Sequence, residues 1–178
     1  MSANFEIIVI SQEPLTCSQL VQMFSFAGKT ELEKEVLVFD DWSFDLENMK
    51  YFQNNQSIQH ILLDRKIVQY SGLAGNHRIG LIQSYDNLIY TSELWIDTKH
   101  IPDLDASYGF SQLNKYICHS ISEAILSINQ TTPITFFAMG TEILIEYTAD
   151  IKEVIAKSHN VVVYGTRING ILTVQDLH

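Results

Sequence analysis

The residue types that could do chemistry in this chain do not sit at the spacings chemistry uses. No Gly-x-Ser-x-Gly elbow presents a nucleophilic serine, and no His-Glu-x-x-His pair could grip zinc. Cys-x-x-Cys and phosphate-wrapping P-loop patterns are absent too. His60, His77, His100, His119, His159 and His178 are widely scattered, with no two one helical turn apart on an expected helix. The sequence therefore predicts neither a metal nor a cofactor. The turn Ser11-Gln12-Glu13-Pro14 has no glycine and carries an acid, which argues against a dinucleotide pyrophosphate there. An enzyme would need a cleft assembled from distant residues, with Asp64, His77, Arg78 and Asp86 as candidates.

Two stretches could bind. Gly72 to Gly80 is the one glycine-rich segment with a cation. Its backbone amides could cradle an anion at Gly75, with His77 beside it and Arg78 closing over. The other stretch is acidic. Residues 31–47 hold Glu31, Glu33, Glu35, Asp40, Asp41, Asp45 and Glu47 against Lys34 alone, a net of −6 out of the chain's −10. Trp42 and Phe44 lie among these acids, with Tyr51 and Phe52 just beyond. A field of one sign speeds and orients encounter, and aromatic anchors supply desolvated contact. Asp40, Asp41, Trp42, Asp45 and Glu47 are the residues expected to bind a basic protein partner.

These candidates must be carried by a chain of 178 residues, enough for one ordinary domain over 1–178. Hydrophobic residues make up 46% and charged residues 18%, a globular balance. The acidic excess argues against nucleic acid and anionic membranes as partners. No apolar run reaches the roughly 18–20 residues a bilayer requires. The N-terminal MSANFEIIVI lacks a basic region and reads as a poor signal peptide. Cys17 and Cys118 read as buried free thiols in a reducing, cytoplasmic setting.

Phe5–Ile10 and Glu35–Asp40 read as strands around a helix starting near Thr16, a β-α-β unit that favours a parallel pair. Residues 44–55 read as a short helix, Ile58–Leu63 as a third strand and Ser71–Asn76 as a loop. Strand-like stretches at 79–83 and 88–96 flank a turn at Tyr85-Asp86-Asn87. The apolar stripe Phe110, Leu113, Ile117, Ile121, Ala124, Ile125 and Ile128 predicts a helix over 109–130. Ile134–Ala138 and Val161–Tyr164 read as strands. Residues 141–149 fit strand or helix, and a helix is expected over 150–157. Asn169-Gly170 predicts a C-terminal hairpin. The expected fold class is α+β, with a central mixed β-sheet, packed amphipathic helices and that hairpin.

Two resemblances bear on function. Asp64 after the apolar IQHILL is similar to the acid that ends the third strand of two-component receiver domains. Receivers also place an acidic pair at the end of the first strand, where this chain has Ser11-Gln12, while Asp40-Asp41 ends the second strand. That likeness implies a non-catalytic regulatory or sensory module, which would bind another protein or a small effector in the Gly72–Gly80 region. In general character the chain resembles bacterial toxin-immunity proteins of contact-dependent growth inhibition systems. These are small, intracellular, often acidic and without catalytic residues. That resemblance implies a neutraliser of a basic partner such as a nuclease toxin, and not an enzyme.

Overall fold

Ile89–Asp97 alternates buried and part-exposed side chains without a break, with Tyr90, Ser92, Leu94 and Ile96 inward. A period of two that clean fixes a strand with one face on a core. The same logic, repeated along the chain, gives a protein dominated by strands. The computed structural model describes residues 4–53, 58–98, 112–144, 153–154 and 159–176.

In chain order the elements are β1 (Asn4–Ser11), α1 (Cys17–Gln22), β2 (Thr30–Leu32), β3 (Glu35–Phe39), β4 (Lys50–Gln53), α2 (Ile58–Leu63) and β5 (Ile67–Ala74). There follow β6 (His77–Asp86), β7 (Ile89–Asp97), α3 (Gln112–Ile128), β8 (Ile134–Leu144), β9 (His159–Ile168) and β10 (Ile171–Asp176). A 3-10 turn at Ser25–Ala27 follows α1. The ten strands form one sheet in the order β10-β9-β8-β1-β7-β6-β5-β3-β4, with β2 also on β5. Every pairing between described strands is antiparallel.

Side chains from all three helices share one core with one face of this sheet. Leu20 of α1, Leu62 of α2 and Ile117, Ile121 and Ile125 of α3 pack with Phe5, Ile7, Val9, Val68, Leu81 and Leu94. The opposite face has a smaller cluster of Ile10, Phe136, Ala138, Ile143, Val154, Val161 and Tyr164. Under the helices lies a closed polar group. Tyr70 Oη donates to Gln83 Oε1, and Gln83 Nε2 donates to the Leu15 carbonyl and to Ser92 Oγ. This ties the entry to α1 onto three strands without leaving Gln83 unpaired.

The expected α+β fold, a mixed sheet packed with helices, is overturned: the described residues form a mostly antiparallel ten-stranded sheet, with the helices α1, α2 and α3 contributing far less of the chain. β1 and β3 are not a parallel pair, because β7, β6 and β5 lie between them. The meander 67–97 has long strands joined by two-residue turns, so it pairs locally and inserts as a block. Ile58–Leu63 is helix rather than strand, ended by Arg65 at φ +60°. A six-residue apolar run has no period that separates the two states. Ser71–Asn76 is not a loop: β5 runs to Ala74, and Gly75 at φ +59° turns directly into β6. Of the helix expected over 44–55, residues 44–53 form a turn-rich loop and β4 instead, and 54–55 lie outside the described residues. There Asp41 Oδ1 and Asp45 Oδ1 accept from the Ser43 and Glu47 amides, satisfying backbone that a helix would have used.

Residues 141–144 continue β8. Of the helix expected over 150–157, Glu153 and Val154 are described and helical; the rest, with 145–149, lies outside the described residues. The hairpin between β9 and β10 turns at Asn169 and Gly170, both at positive φ.

Candidate functional site

Asp40, Asp41, Trp42, Asp45 and Glu47 fall in one loop, the connection from β3 to β4 near the edge of the sheet. Its base is Phe39, the last residue of β3, buried in the sheet. Phe44 packs edge-on against Phe39, with centroids 5.0 Å apart, and Trp42 packs edge-on against Phe44 at 5.8 Å. Phe44 adopts φ +51°, a conformation that costs a bulky residue energy and that the ring contacts hold in place. The result is a ladder of three rings leading from core to solvent, with Trp42 53% exposed at its outer end. Leu46 of the same loop is 72% exposed, and Tyr51 on β4 is 62% exposed.

The acids have different tasks. Asp41 and Asp45 each spend one oxygen on a backbone amide two residues on, and Asp45 Oδ2 also accepts from Asn48 Nδ2. Hydrogen bonding from Ser43 holds the Asp41 carboxyl below its ordinary range. Asp40 is already paired, its Oδ1 lying 3.1 Å from Lys66 Nζ. Asp41, Asp45 and Glu47 have no ion pair among the described residues. Chemically, the loop can offer an apolar anchor and uncompensated negative charge; it holds no nucleophile and no acid–base pair.

Gly75, His77 and Arg78 separate. The Gly75 amide donates to the Lys29 carbonyl at 2.8 Å, so that N–H holds the start of β2 and is not open to an anion. Arg78 instead lines a groove of about 620 Å3 with Ser71, Leu73, Glu31, Glu33 and Trp95; neither Gly75 nor His77 lines it. Trp95 is opposite Gly80 across the β6–β7 pair, and its indole occupies the space a Gly80 side chain would fill. The sequence reading missed Trp95. Its signal was the alternation of 88–96, which puts Trp95 on the face away from the helices.

Asp64, His77, Arg78 and Asp86 do not form one cleft. His77 and Asp86 begin and end the ten-residue strand β6, which at about 3.4 Å per residue sets them roughly 30 Å apart. Asp64 follows a helix rather than a third strand, so the receiver-like placement of that acid is absent. Cys118 is buried and Cys17 partly so, and both are free thiols. Among the described residues no three His, Cys, Asp or Glu side chains gather as a metal cluster, and no helix is long and apolar enough to cross a membrane.

Comparison with known proteins gives no match: no family model, no curated protein and no solved structure matches this chain.

Proposed function

We propose that this protein is a binding module that neutralises a basic protein partner through the β3–β4 loop, in the manner of an immunity protein. The observation that carries the reading is the ring ladder Phe39–Phe44–Trp42, which holds a tryptophan out in solvent in a loop where Asp41, Asp45 and Glu47 have no ion pair among the described residues. A loop braced by its own side chains loses little conformational freedom on binding. Trp42 and Leu46 supply the apolar contact, and Asp41, Asp45 and Glu47 take cationic positions that would otherwise meet phosphate.

The test is capture from native cell extract with tagged protein, washed at low and high salt, followed by association kinetics on the captured partner. A basic protein held one-to-one is expected. Changing Asp40, Asp41 and Asp45 together to Asn leaves the side-chain oxygens at 41 and 45 able to accept from the Ser43 and Glu47 amides, while the charge and the Asp40–Lys66 ion pair are lost. Slower association and a flatter salt dependence are expected from that variant. Unchanged association kinetics would refute the assignment of this loop.

A second reading draws on the groove over Trp95. Its size lies within the range of small-ligand pockets, and Arg78 is a cation without an ion pair among the described residues. A sensory module would bind a small effector there, and a ligand co-purifying with the protein would favour this reading over neutralisation.

A further inference from the structure

At the opposite end of the sheet, α3 overhangs β9 and β10. Lys115, Cys118, His119, Ser122, Glu123 and Leu126 recur at three- and four-residue spacing and so share one face of α3. With Val163, Val174 and Asp176 they enclose a pocket of about 420 Å3. Ser122 is 4% exposed, and its hydroxyl has no hydrogen-bond partner among the described residues. A buried hydroxyl left unpaired is costly, and one that lines a pocket can be satisfied by what enters it. The floor is otherwise apolar or weakly polar, formed by Leu126, Val163, Val174 and the buried Cys118 thiol.

The charge that reaches this floor is negative. Burial first, and then the nearby Asp176 carboxylate, push the Cys118 thiol up to about 12. The thiol therefore stays neutral and is no nucleophile. Of the other charged or titratable groups, His119 faces Glu123 across 3.7 Å at the mouth, and Lys115 stands exposed one turn before His119. An anion entering the pocket meets Asp176. A neutral occupant would leave that carboxylate without a countercharge.

From the unpaired Ser122 hydroxyl, the Asp176 carboxylate and the apolar floor, we infer that this pocket binds a small aliphatic ammonium ligand. Its chain lies on Leu126, Val163 and Val174. Its cation meets Asp176, and with three N–H donors it serves the Ser122 oxygen as well. The site is independent of the β3–β4 loop.

The experiment uses the full-length protein and three probes of matched shape: hexylammonium, hexanol and hexanoate. Amide chemical shifts are followed by NMR, with calorimetric titration as a second readout. Saturable shifts along α3, β9 and β10 are expected with hexylammonium, together with a one-to-one calorimetric isotherm. Hexanol should bind more weakly and hexanoate not at all. Asp176→Asn, at an exposed strand end that tolerates it, should weaken hexylammonium at least about tenfold. Ser122→Ala, which keeps the helix, should weaken it by a smaller factor. The inference is overturned if hexylammonium fails to saturate, if hexanol or hexanoate binds as well, or if Asp176→Asn changes nothing.

Discussion

Trp42 is the residue at which the proposed binding role can be separated from folding. More than half of its side chain is exposed, and it contacts the ring of Phe44 rather than the core. Trp42→Ala should therefore leave the denaturation midpoint nearly unchanged while weakening partner binding by about 2 kcal/mol or more, measured by calorimetry. Gln83 is the opposite case. It is fully buried, and three partners depend on it. Gln83→Leu should cost about 2–3 kcal/mol in urea denaturation, because the Leu15 carbonyl, Ser92 and Tyr70 each lose a partner.

Glu93 carries a pH dependence. It lies across from Ile8 on β1 and Ile82 on β6, and its carboxylate has no hydrogen bond or ion pair among the described residues. Burial raises its carboxyl above the ordinary 4.5. The folded state thus holds a proton that the unfolded chain gives up. The stability this contributes is complete below pH 4.5 and is lost as pH rises through the raised folded value. Glu93→Gln should flatten stability against pH across that window and raise stability at neutral pH, as thermal melts at several pH values would read.

At the scale of elements, Arg167 fastens the end of α3 to the sheet. Its Nε donates to the Ile134 carbonyl, Nη1 to the Gly170 carbonyl and Nη2 to Asn129 Oδ1. Asn129 Oδ1 also accepts from the Ile134 amide, so the α3–β8 connection and the β9–β10 turn share one planar cation. Arg167→Ala should cost about 2–3 kcal/mol in chemical denaturation. Arg167→Lys should not restore it, since an ammonium cannot span three acceptors with the guanidinium fork. The helices show how far local sequence reaches. Thr16 and Gln19 form a reciprocal capping box, which starts α1 where the sequence places a helix. The stripe of α3 is equally plain. The run 58–63 carries no such marker: Leu62 is buried and Leu63 is half-exposed, and six residues are too few to show that asymmetry as a period.

For the whole molecule, β1 is the strand on which the sheet closes. It sits between β7 and β8, with Ile7 opposite both Leu94 and Met139. Those partners are far along the chain, whereas β5, β6 and β7 pair with their neighbours through tight turns. Loop-closure entropy makes the distant pairing slow. Pulse-labelling hydrogen exchange during refolding should therefore protect β5–β7 before β1 and β8. Simultaneous protection would show that the meander does not form first.

The sequence by itself determined what neighbouring residues settle among themselves. These are the apolar run of β1, the strand pattern of β7, the helix start near Thr16, the Asn169-Gly170 turn, the stripe of α3, and the clustering of acids and aromatics over residues 40–47. Strand order was a tertiary decision. FEIIVI and EVLVFD have the same buried-strand pattern whether they pair with each other or stand three strands apart, and which edge each finds depends on what the meander leaves open. The same holds for the groove over Trp95 and the pocket under α3. Their walls come from segments that meet only after the sheet has closed, so no local spacing could announce them.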